Sequence, residues 1–344
     1  MKKILLVEFN NFHEEVLLSQ LSYLYKSKWE YFLYINASLN DKVNLEKLID
    51  KENIQIINSK NKFTRILSLI NITQYIQKND INVVIFNSYE NIYVQLLSKF
   101  IINKKKIAIV HNLNIFQKDE KKFNNFFVLN NTLYKFAKNN FTQNFDFFYP
   151  LVKNTTKTQN INNNNTINIV IPGLIELSRR DYLGLLEIIK NKKLDNIKFI
   201  FLGNILKNDG LQVLEKIKEY NLLKQIKIYK DFIPYKEYFD VLNTSDIIMP
   251  LIHPNVNNFE KYHKTKITAA FTMAFSFKKP LFLYKSFLNL EEFRNFSISY
   301  DLKNLIDKLE NLNHNEISNI QKKMEVNKII SFNYQREKYL ELIE

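Results

Sequence analysis

The chain has 344 residues, 46% of them hydrophobic, with no cysteine and a formal net charge of +14. This length favours two domains, and the absence of cysteine excludes a disulfide framework and thiolate chemistry, as is usual in a reducing cytoplasm. The scattered lysines argue against a dedicated nucleic-acid surface, and the lack of an apolar run of roughly 18 residues argues against a membrane-spanning helix. The basic groups at Lys104–Lys106 and Lys121–Lys122 still suit an anionic membrane surface.

Apolar strand-like runs alternate with helical patterns through the first half of the chain. The opening MKKILLVEF reads as a first strand, because its apolar run stops at Glu8 without the small-residue cleavage site of a signal peptide. Strands separated by helices predict a parallel, doubly wound sheet with right-handed crossovers. The predicted strands are Lys3–Val7, Tyr31–Ile35, Ile54–Ile57, Val83–Phe86 and Ile107–Val110, and the predicted helices are His13–Tyr25, Val43–Asp50, Phe63–Gln77 and Tyr89–Phe100.

An asparagine-rich polar segment at 153–166 predicts a linker, after which the alternation restarts. We therefore predict an α/β protein of two Rossmann-like doubly wound domains facing across a cleft, over 1–152 and 167–330. A C-terminal helix over 331–344 can cross back to the first domain. The second-half strands are predicted at Ile169–Ile171, Ile197–Leu202, Ile226–Tyr229, Ile247–Pro250 and Leu281–Tyr284, and the helices at Tyr182–Lys190, Leu211–Tyr220, Tyr235–Asn243 and Ala269–Phe277.

A candidate phosphate site opens the second half. Gly173 ends a strand, and Arg179 and Arg180 stand in the loop that leads into a helix. Ligands of parallel sheets bind at the carboxyl ends of strands, where loop N–H groups and a helix N-terminus suit an anion, and guanidinium groups match phosphate oxygens. Asn204, after the next strand, is a further candidate. The alternative is a solvated loop in which Gly173 only ends a strand.

A second anion-binding pattern lies at Thr265, Lys266 and Thr268, directly before the helix Ala269–Phe277. Hydroxyl and ammonium groups near a helix N-terminus suit a phosphate. The alternative is an ordinary helix capped by Thr265 or Thr268. The sequence has no Gly-rich nucleotide fingerprint and no clustered histidines and carboxylates with metal-ligand spacing, so it implies neither a cofactor nor a metal.

A candidate general base stands in the first strand-to-helix loop. His13 follows the first strand and opens the first helix, with Glu14 beside it. An imidazole is suited to proton transfer near neutral pH. The alternative for His13 is a helix N-terminal histidine whose neighbouring acids match the helix dipole. His111, at the end of another strand, is the second candidate, and its alternative is a hydrogen-bonded structural histidine.

With this layout, the chain resembles bacterial GT-B glycosyltransferases, in particular family-4-like enzymes and enzymes of surface polysaccharide synthesis. The motifs that carry the resemblance are VEFNNFHEE at 7–15, VHN at 110–112, RRDY at 179–182, YHKTK at 262–266 and AFSFKKP at 274–280. Thr265 and Met273 stand where family 4 has two glutamates, which favours an inverting enzyme.

The resemblance implies an N-terminal acceptor domain, a C-terminal donor domain and specific residue roles. Arg179, Arg180 and Lys266 would bind the donor diphosphate in a metal-independent reaction, and His13 would be the base. The full set of implied site residues is His13 and Glu14 for catalysis, Gly173, Arg179, Arg180, Asn204, Thr265, Lys266 and Thr268 for the donor, and Asn11, His111 and Asn112 for the acceptor.

The expected function is transfer of a hexose from a nucleotide-sugar to a glycan or lipid-linked glycan, as in lipopolysaccharide or capsule synthesis. The expected location is the cytoplasm, at the inner face of the cell membrane as a peripheral protein, with no nucleic-acid partner. One alternative is another GT-B enzyme, such as a sugar-nucleotide epimerase or a polyol-phosphate transferase. The other is a non-catalytic two-domain protein that binds a ligand or a polyanion.

Overall fold

A computed structural model describes residues 2–43, 45–58, 61–117, 120–153 and 166–344. These residues form two compact units. The first comprises the chain up to Lys153 together with Lys264–Ile267 and Phe332–Glu344, and the second comprises 166–263 and Thr268–Ser331. The predicted linker at 153–166 lies outside the described residues apart from its two end positions.

The first unit contains one parallel sheet. Its strands are β1 Lys3–Glu8, β2 Glu30–Asn36, β3 Ile54–Ile57, β4 Val83–Phe86, β5 Lys105–Ile109, β6 Asn125–Val128 and β7 Phe145–Phe147. They pair in the order β3-β2-β1-β4-β5-β6-β7. Ile4 to Val7 are wholly buried, as expected of a central parallel strand covered on both faces. Val7 pairs with Phe86, so the carboxyl ends of β1 and β4 lie side by side.

Helices cover this sheet. Leu5 and Val7 join a core cluster with Ile72 and Val94, while Ile4 and Leu6 face the opposite side by strand alternation. The helices are α1 Glu14–Leu24, α2 Ala37–Asn40, α3 Lys62–Lys78, α4 Ile92–Phe100, α5 Asn131–Asn140 and, from the end of the chain, α14 Phe332–Ile343, with 3-10 turns at Lys51–Asn53 and Leu113–Ile115. Helix α14 packs on α1, and the Gln20 amide donates to the Tyr339 hydroxyl at 3.0 Å.

The second unit repeats this architecture with a parallel sheet of six strands. They are β8 Ile167–Pro172, β9 Ile197–Asn204, β10 Ile226–Tyr229, β11 Ile247–Ile248, β12 Leu281–Tyr284 and β13 Ser297–Tyr300, in the order β10-β9-β8-β11-β12-β13. The helices are α6 Tyr182–Ile189, α7 Gly210–Glu219, α8 Tyr235–Thr244, α9 Phe259–Lys264, α10 Ala269–Phe277, α11 Glu291–Arg294, α12 Leu305–Glu310 and α13 His314–Val326, with a 3-10 turn at Lys285–Asn289.

The predicted fold class of two Rossmann-like, doubly wound α/β sheets is confirmed. One predicted element is wrong: the described residues of Val43–Asp50 form turns, and a four-residue helix precedes them at Ala37–Asn40. Val43, Leu45 and Ile49 are buried all the same. The sequence predicts a polar helix here, but these three side chains reach the core from turns.

Candidate functional site

His13 lies in the loop between β1 and α1 and has a left-handed backbone conformation, with φ 71°. Such a backbone is uncommon for a residue with a Cβ, although His, Asn and Asp adopt it more often than other residues, and it is one of the conformations that cluster at active sites. The His13 imidazole stacks on that of His111, with ring centroids 3.5 Å apart and planes inclined by 8°. The Phe12 ring meets it edge-on, with centroids 4.5 Å apart. The turn and the two rings together fix the His13 side chain.

Ser88 and Glu8 lie behind His13, at the carboxyl ends of β4 and β1. The Ser88 hydroxyl donates to the Glu8 carboxyl, 2.8 Å from Oε2, and its oxygen lies 3.3 Å from His13 Nδ1. When Glu8 is ionised, Ser88 gives its single proton to that carboxylate, and the Ser88 oxygen then accepts from Nδ1–H of His13. The tautomer so selected leaves Nε2 of His13 able to accept a proton. Burial raises the pKa of Glu8 to about 8, so this carboxyl changes charge near neutral pH.

His111 follows β5 and is held by Asn87 and Glu90. Its Nε2 donates to the Asn87 carbonyl at 2.7 Å, and its backbone N–H and that of Asn112 both donate to Glu90 Oε1, at 2.6 and 2.8 Å. Burial lowers the pKa of His111, so the ring on which His13 stacks is neutral. The Asn87 amide is wholly buried, and both its nitrogen and its oxygen lack a hydrogen-bond partner among the described residues.

The predicted partners of His13 lie nearby in the same unit. Glu14 opens α1, and burial raises its pKa. Asn11 is exposed in the loop after β1, where its carbonyl accepts from Lys42 Nζ at 2.8 Å. Asn112 carries its side-chain oxygen 3.2 Å from the Asn114 N–H and so orders the turn after β5.

Thr265 and Lys266 belong to the first unit, although they lie within the range 167–330 predicted for the donor domain. Lys266 forms an antiparallel bridge with Asn112, and the Thr265 carbonyl accepts from the Leu113 N–H at 2.8 Å. The Ile267 side chain packs against the core cluster of the first sheet. The structure therefore brings these two predicted donor residues together with the predicted acceptor residue Asn112.

A cavity of about 340 Å³ lies beside the loop that follows β1. It collects side chains from the ends of β1 and β2 and from the first turns of α3 and α4, namely Phe9, Asn10, Asn11, Asn36, Ser38, Arg65, Asn91 and Tyr93. The rings of Phe9 and Tyr93 stack with centroids 5.9 Å apart, and the Arg65 guanidinium lies 5.5 Å from the centre of the Tyr93 ring. Amides beside aromatic rings suit the hydroxyls and the apolar faces of a sugar.

In the second unit, Gly173 follows β8 with φ 101°, a backbone region that suits glycine. Arg180 packs across it: a Cβ at Gly173 would lie 2.9 Å from Arg180 Nη2. Arg180 is 5% exposed, and its Nη1 donates to the Leu174 carbonyl at 3.0 Å. A Cβ at Gly203, near the end of β9, would lie 2.2 Å from the Gly173 carbonyl oxygen. Arg180 and the two glycines thus shape the loop itself.

Arg179 is the more accessible of the two arginines, with 32% of its side chain exposed. Its Nη1 lies 3.4 Å from Glu176 Oε2. Burial opposes its positive charge, but Tyr262 and Glu176 together hold the pKa of Arg179 above its ordinary value. Its guanidinium therefore remains a permanent cation at the carboxyl end of β8.

We expected the N-terminus of α6 to bind an anionic ligand, but a side chain of the protein occupies it. Asp181 caps this helix, with its Oδ1 accepting from the Gly184 N–H at 3.0 Å. Its other oxygen lies 2.7 Å from Nδ1 of the wholly buried His253, whose Nε2 lies 2.7 Å from the Tyr300 hydroxyl. A carboxylate thus occupies the helix end, and the loop before it is left as the candidate phosphate site.

Asn204 and Thr268, the remaining predicted donor residues, lie at element ends. Asn204 closes β9, and its side-chain oxygen accepts from the Leu206 N–H at 2.8 Å. Thr268 is the N-cap residue of α10 but makes no side-chain capping bond, and it is 4% exposed. The capping role that was the alternative for Thr268 is therefore absent.

Sequence reasoning did not find five polar residues that organise these sites. They are Glu8, Asn87, Ser88 and Glu90 in the first unit and His253 in the second. Glu8 carries a signal, because it is an acid that ends an otherwise apolar strand. His253 follows β11 in the run MPLIHP, and its role depends on partners distant in sequence, Asp181 and Tyr300.

Among the described residues, no group of three or more histidines, aspartates and glutamates could hold a metal ion. Within the same parts of the chain, no helix is both long and apolar enough to cross a membrane.

Comparison with known proteins identifies the architecture. No protein-family model matches the sequence, and no curated protein matches it significantly. A glycosyltransferase from Rickettsia africae matches with a TM-score of 0.67 and 17% identity, over 99% of this chain and 97% of that one. Anabaena HepE, solved with UDP and glucose, matches with a TM-score of 0.70 and 10% identity over 99% of both chains. A putative UDP-N-acetylglucosamine 2-epimerase from Listeria monocytogenes matches with a TM-score of 0.61 and 13% identity, over 99% and 95%.

These likenesses extend over nearly the whole length of each chain, at identities too low to transfer an activity. The two parallel sheets of seven and six strands correspond to the two Rossmann-like domains of these structures. The protein therefore has the GT-B fold.

Proposed function

We propose that the protein is a metal-independent glycosyltransferase that moves a sugar from a nucleotide-sugar to a glycan or lipid-linked glycan acceptor in surface polysaccharide synthesis. The observation that carries this proposal is the His13 site in a chain with the GT-B fold: His13 has a left-handed backbone, and its imidazole stacks on His111 with Nδ1 beside Ser88. The solved structures of glycosyltransferases with the same fold support it.

In this proposal His13 is the general base. The hydroxyl of the acceptor gives its proton to His13 Nε2, while the oxygen of that hydroxyl forms a bond to the anomeric carbon of the donor sugar. The bond between that carbon and the diphosphate oxygen breaks, and the nucleoside diphosphate leaves with the electron pair. The resulting imidazolium keeps its Nδ1–H on Ser88, which Glu8 holds from behind. The neutral His111 ring adds no charge that would oppose protonation of His13.

The donor diphosphate binds the loop after β8, with Arg179 as its charged ligand. Arg179 is the accessible cation of this loop, whereas Arg180 is buried and packs across Gly173. Asn204 and Thr268 complete the proposed donor set of the second unit, whereas Thr265 and Lys266, also predicted for the donor, lie in the first unit. Cationic side chains can neutralise the departing diphosphate without a metal ion.

The acceptor binds the first unit, in the cavity that Asn11 lines. Amides from Asn10, Asn36 and Asn91 suit sugar hydroxyls, and the ring pair of Phe9 and Tyr93 suits an apolar sugar face. Arg65 favours an acceptor that bears a carboxylate or phosphate. His111 and Asn112, which follow β5, complete the proposed acceptor set.

The experiment is a transfer assay with a panel of nucleotide-sugars and a glycan array, in EDTA, with products identified by mass spectrometry. We expect one nucleotide-sugar to lose its sugar to one class of glycan, with release of the nucleoside diphosphate. Activity that appears only with added divalent metal would reject the metal-independent mechanism.

A second candidate, sugar-nucleotide epimerisation, is favoured by the likeness to the Listeria structure. It is separated by incubating each nucleotide-sugar without any acceptor. A glycosyltransferase leaves the stereochemistry of the sugar unchanged under these conditions, whereas an epimerase returns a mixture of two epimers.

A further inference from the structure

Helices α3 and α4 carry an unusual amount of exposed apolar surface. Of the twenty large hydrophobic side chains that are exposed among the described residues, seven lie on these two helices, and an eighth, Ile102, lies two residues beyond the end of α4. On α3 they recur at helical spacing as Phe63, Ile66, Leu67 and Ile70. Such a stripe on one side of a surface helix normally faces a core.

The core does not account for this stripe, because other faces of the same helices already pack on the sheet. Leu69 and Ile72 of α3 and Val94 and Leu97 of α4 belong to the buried core cluster. The exposed residues lie between these positions in sequence and so on the outer side of the helices.

Helix α4 continues the surface. Ile92, Leu96 and Phe100 recur every four residues and are exposed, Ile92 by 63% and Phe100 by 60%. The two helices pack against each other, so their outer sides form one apolar face, which we call the α3–α4 face. Contiguous apolar patches of this kind mark interaction surfaces.

The charge around the α3–α4 face decides between partners. The stretches 53–79 and 91–118, which contain both helices, have no aspartate or glutamate but several lysines and arginines, such as Lys78, Lys99 and Lys104. A second copy of this basic face would be repelled, whereas an anionic surface would be attracted. Helices that lie in the headgroup layer of a membrane typically expose Phe, Leu and Ile on one face and carry lysines and arginines around it.

We propose that the α3–α4 face docks on the anionic surface of a lipid bilayer, with its apolar side chains entering the headgroup region. One consequence rests on the proposed function. Because Arg65 and Tyr93 belong to the same two helices and line the acceptor cavity, the docked face would place this cavity beside the bilayer, where a lipid-linked acceptor presents its glycan.

The test is sedimentation of the full chain with vesicles of phosphatidylcholine alone or mixed with phosphatidylglycerol. We expect binding to the anionic vesicles that weakens with salt. The triple variant Phe63→Ser, Ile66→Ser, Phe100→Ser should bind at least about tenfold more weakly, because three insertable side chains are lost. The matched control, Leu211→Ser with Leu223→Ser and Phe232→Ser, removes three exposed apolar side chains from the second unit and should bind like the unaltered chain.

Failure of the unaltered chain to bind anionic vesicles, or equal binding by the triple variant, would overturn the proposal. The proposal would also be overturned if the unaltered chain were a dimer in solution and the triple variant a monomer, because the face would then bind a second copy of the chain. The readout needs no sugar, so it is independent of the proposed enzymatic activity. Turnover of a soluble glycan should be the same in the triple variant, which shows that the face serves the membrane and not the chemistry.

Discussion

The imidazole of His13 lies flat on that of His111, with ring centroids 3.5 Å apart, although the two residues follow different strands. Strands β1 and β5 both flank β4 in the parallel sheet, so their carboxyl ends converge at one edge. His111 is anchored by Asn87 and Glu90, and His13 by Ser88. The short segment after β4 therefore positions both histidines.

Replacement of His13 by alanine should reduce the transfer rate by roughly 10²-fold or more, because the acceptor hydroxyl loses its base. Donor affinity should change little, since the donor site is assigned to the second unit. His314→Ala, at an exposed position that opens α13, is the control and should keep full activity. Steady-state kinetics with separate donor titrations measure both quantities, and unchanged turnover would remove His13 from the mechanism.

Replacement of Glu8 by glutamine should flatten the dependence of stability on pH. The pKa of Glu8 is about 8 in the folded chain and 4.5 ordinarily, so below 4.5 both states are protonated. Between these values the unfolded chain loses a proton that the folded chain retains, so stability falls as pH rises, by about 1.4 kcal/mol per pH unit, and levels off above the folded pKa.

Urea unfolding at pH 5 and pH 8 checks this expectation. The free energy of unfolding should fall more for the unaltered chain than for Glu8→Gln, with a difference on the order of a few kcal/mol. Equal falls would show that Glu8 ionises freely in the folded state.

Loss of the Tyr300 hydroxyl should destabilise the chain by about 1–3 kcal/mol, because Tyr300→Phe leaves one nitrogen of the wholly buried His253 without its partner. His253→Ala should destabilise the chain further, because it removes the hydrogen-bond partner of both Asp181 and Tyr300 and opens a cavity. Thermal unfolding of both variants measures the order. A larger loss from Tyr300→Phe than from His253→Ala would contradict the assigned network.

Replacement of Arg65 by alanine should raise the KM for an acidic acceptor by about tenfold while leaving kcat nearly unchanged, because it removes a binding contact that ground state and transition state share. Lys78→Ala, at the other end of α3, is the control. The KM for a neutral acceptor analogue should be the same in Arg65→Ala as in the unaltered chain. If the two acceptors respond equally, Arg65 does not read an acidic group.

The alternation of short apolar runs with helical patterns predicted the two doubly wound sheets, although not the strands β6, β7 and β13, whereas the GT-B assignment came from the resemblance to known enzymes. The sequence failed at Val43–Asp50, where it predicts a polar helix but Val43, Leu45 and Ile49 are buried without a helix. The sequence also singles out His13, Gly173 and Arg179, which lie in loops that follow strands, and their functional roles stay predictions. It did not separate Arg179 from Arg180, because only the packing of Arg180 against Gly173 shows which guanidinium is engaged.

The most direct test of the central claim is a thermal-shift measurement with UDP, GDP, CDP, ADP and dTDP and their common sugars, in EDTA. We expect one nucleotide to raise the Tm selectively, and Arg179→Ala to abolish the shift while the control Arg294→Ala retains it. If no nucleotide raises the Tm at millimolar concentration, or if Arg179→Ala responds like the unaltered chain, the proposed nucleotide-sugar site in the loop after β8 is contradicted.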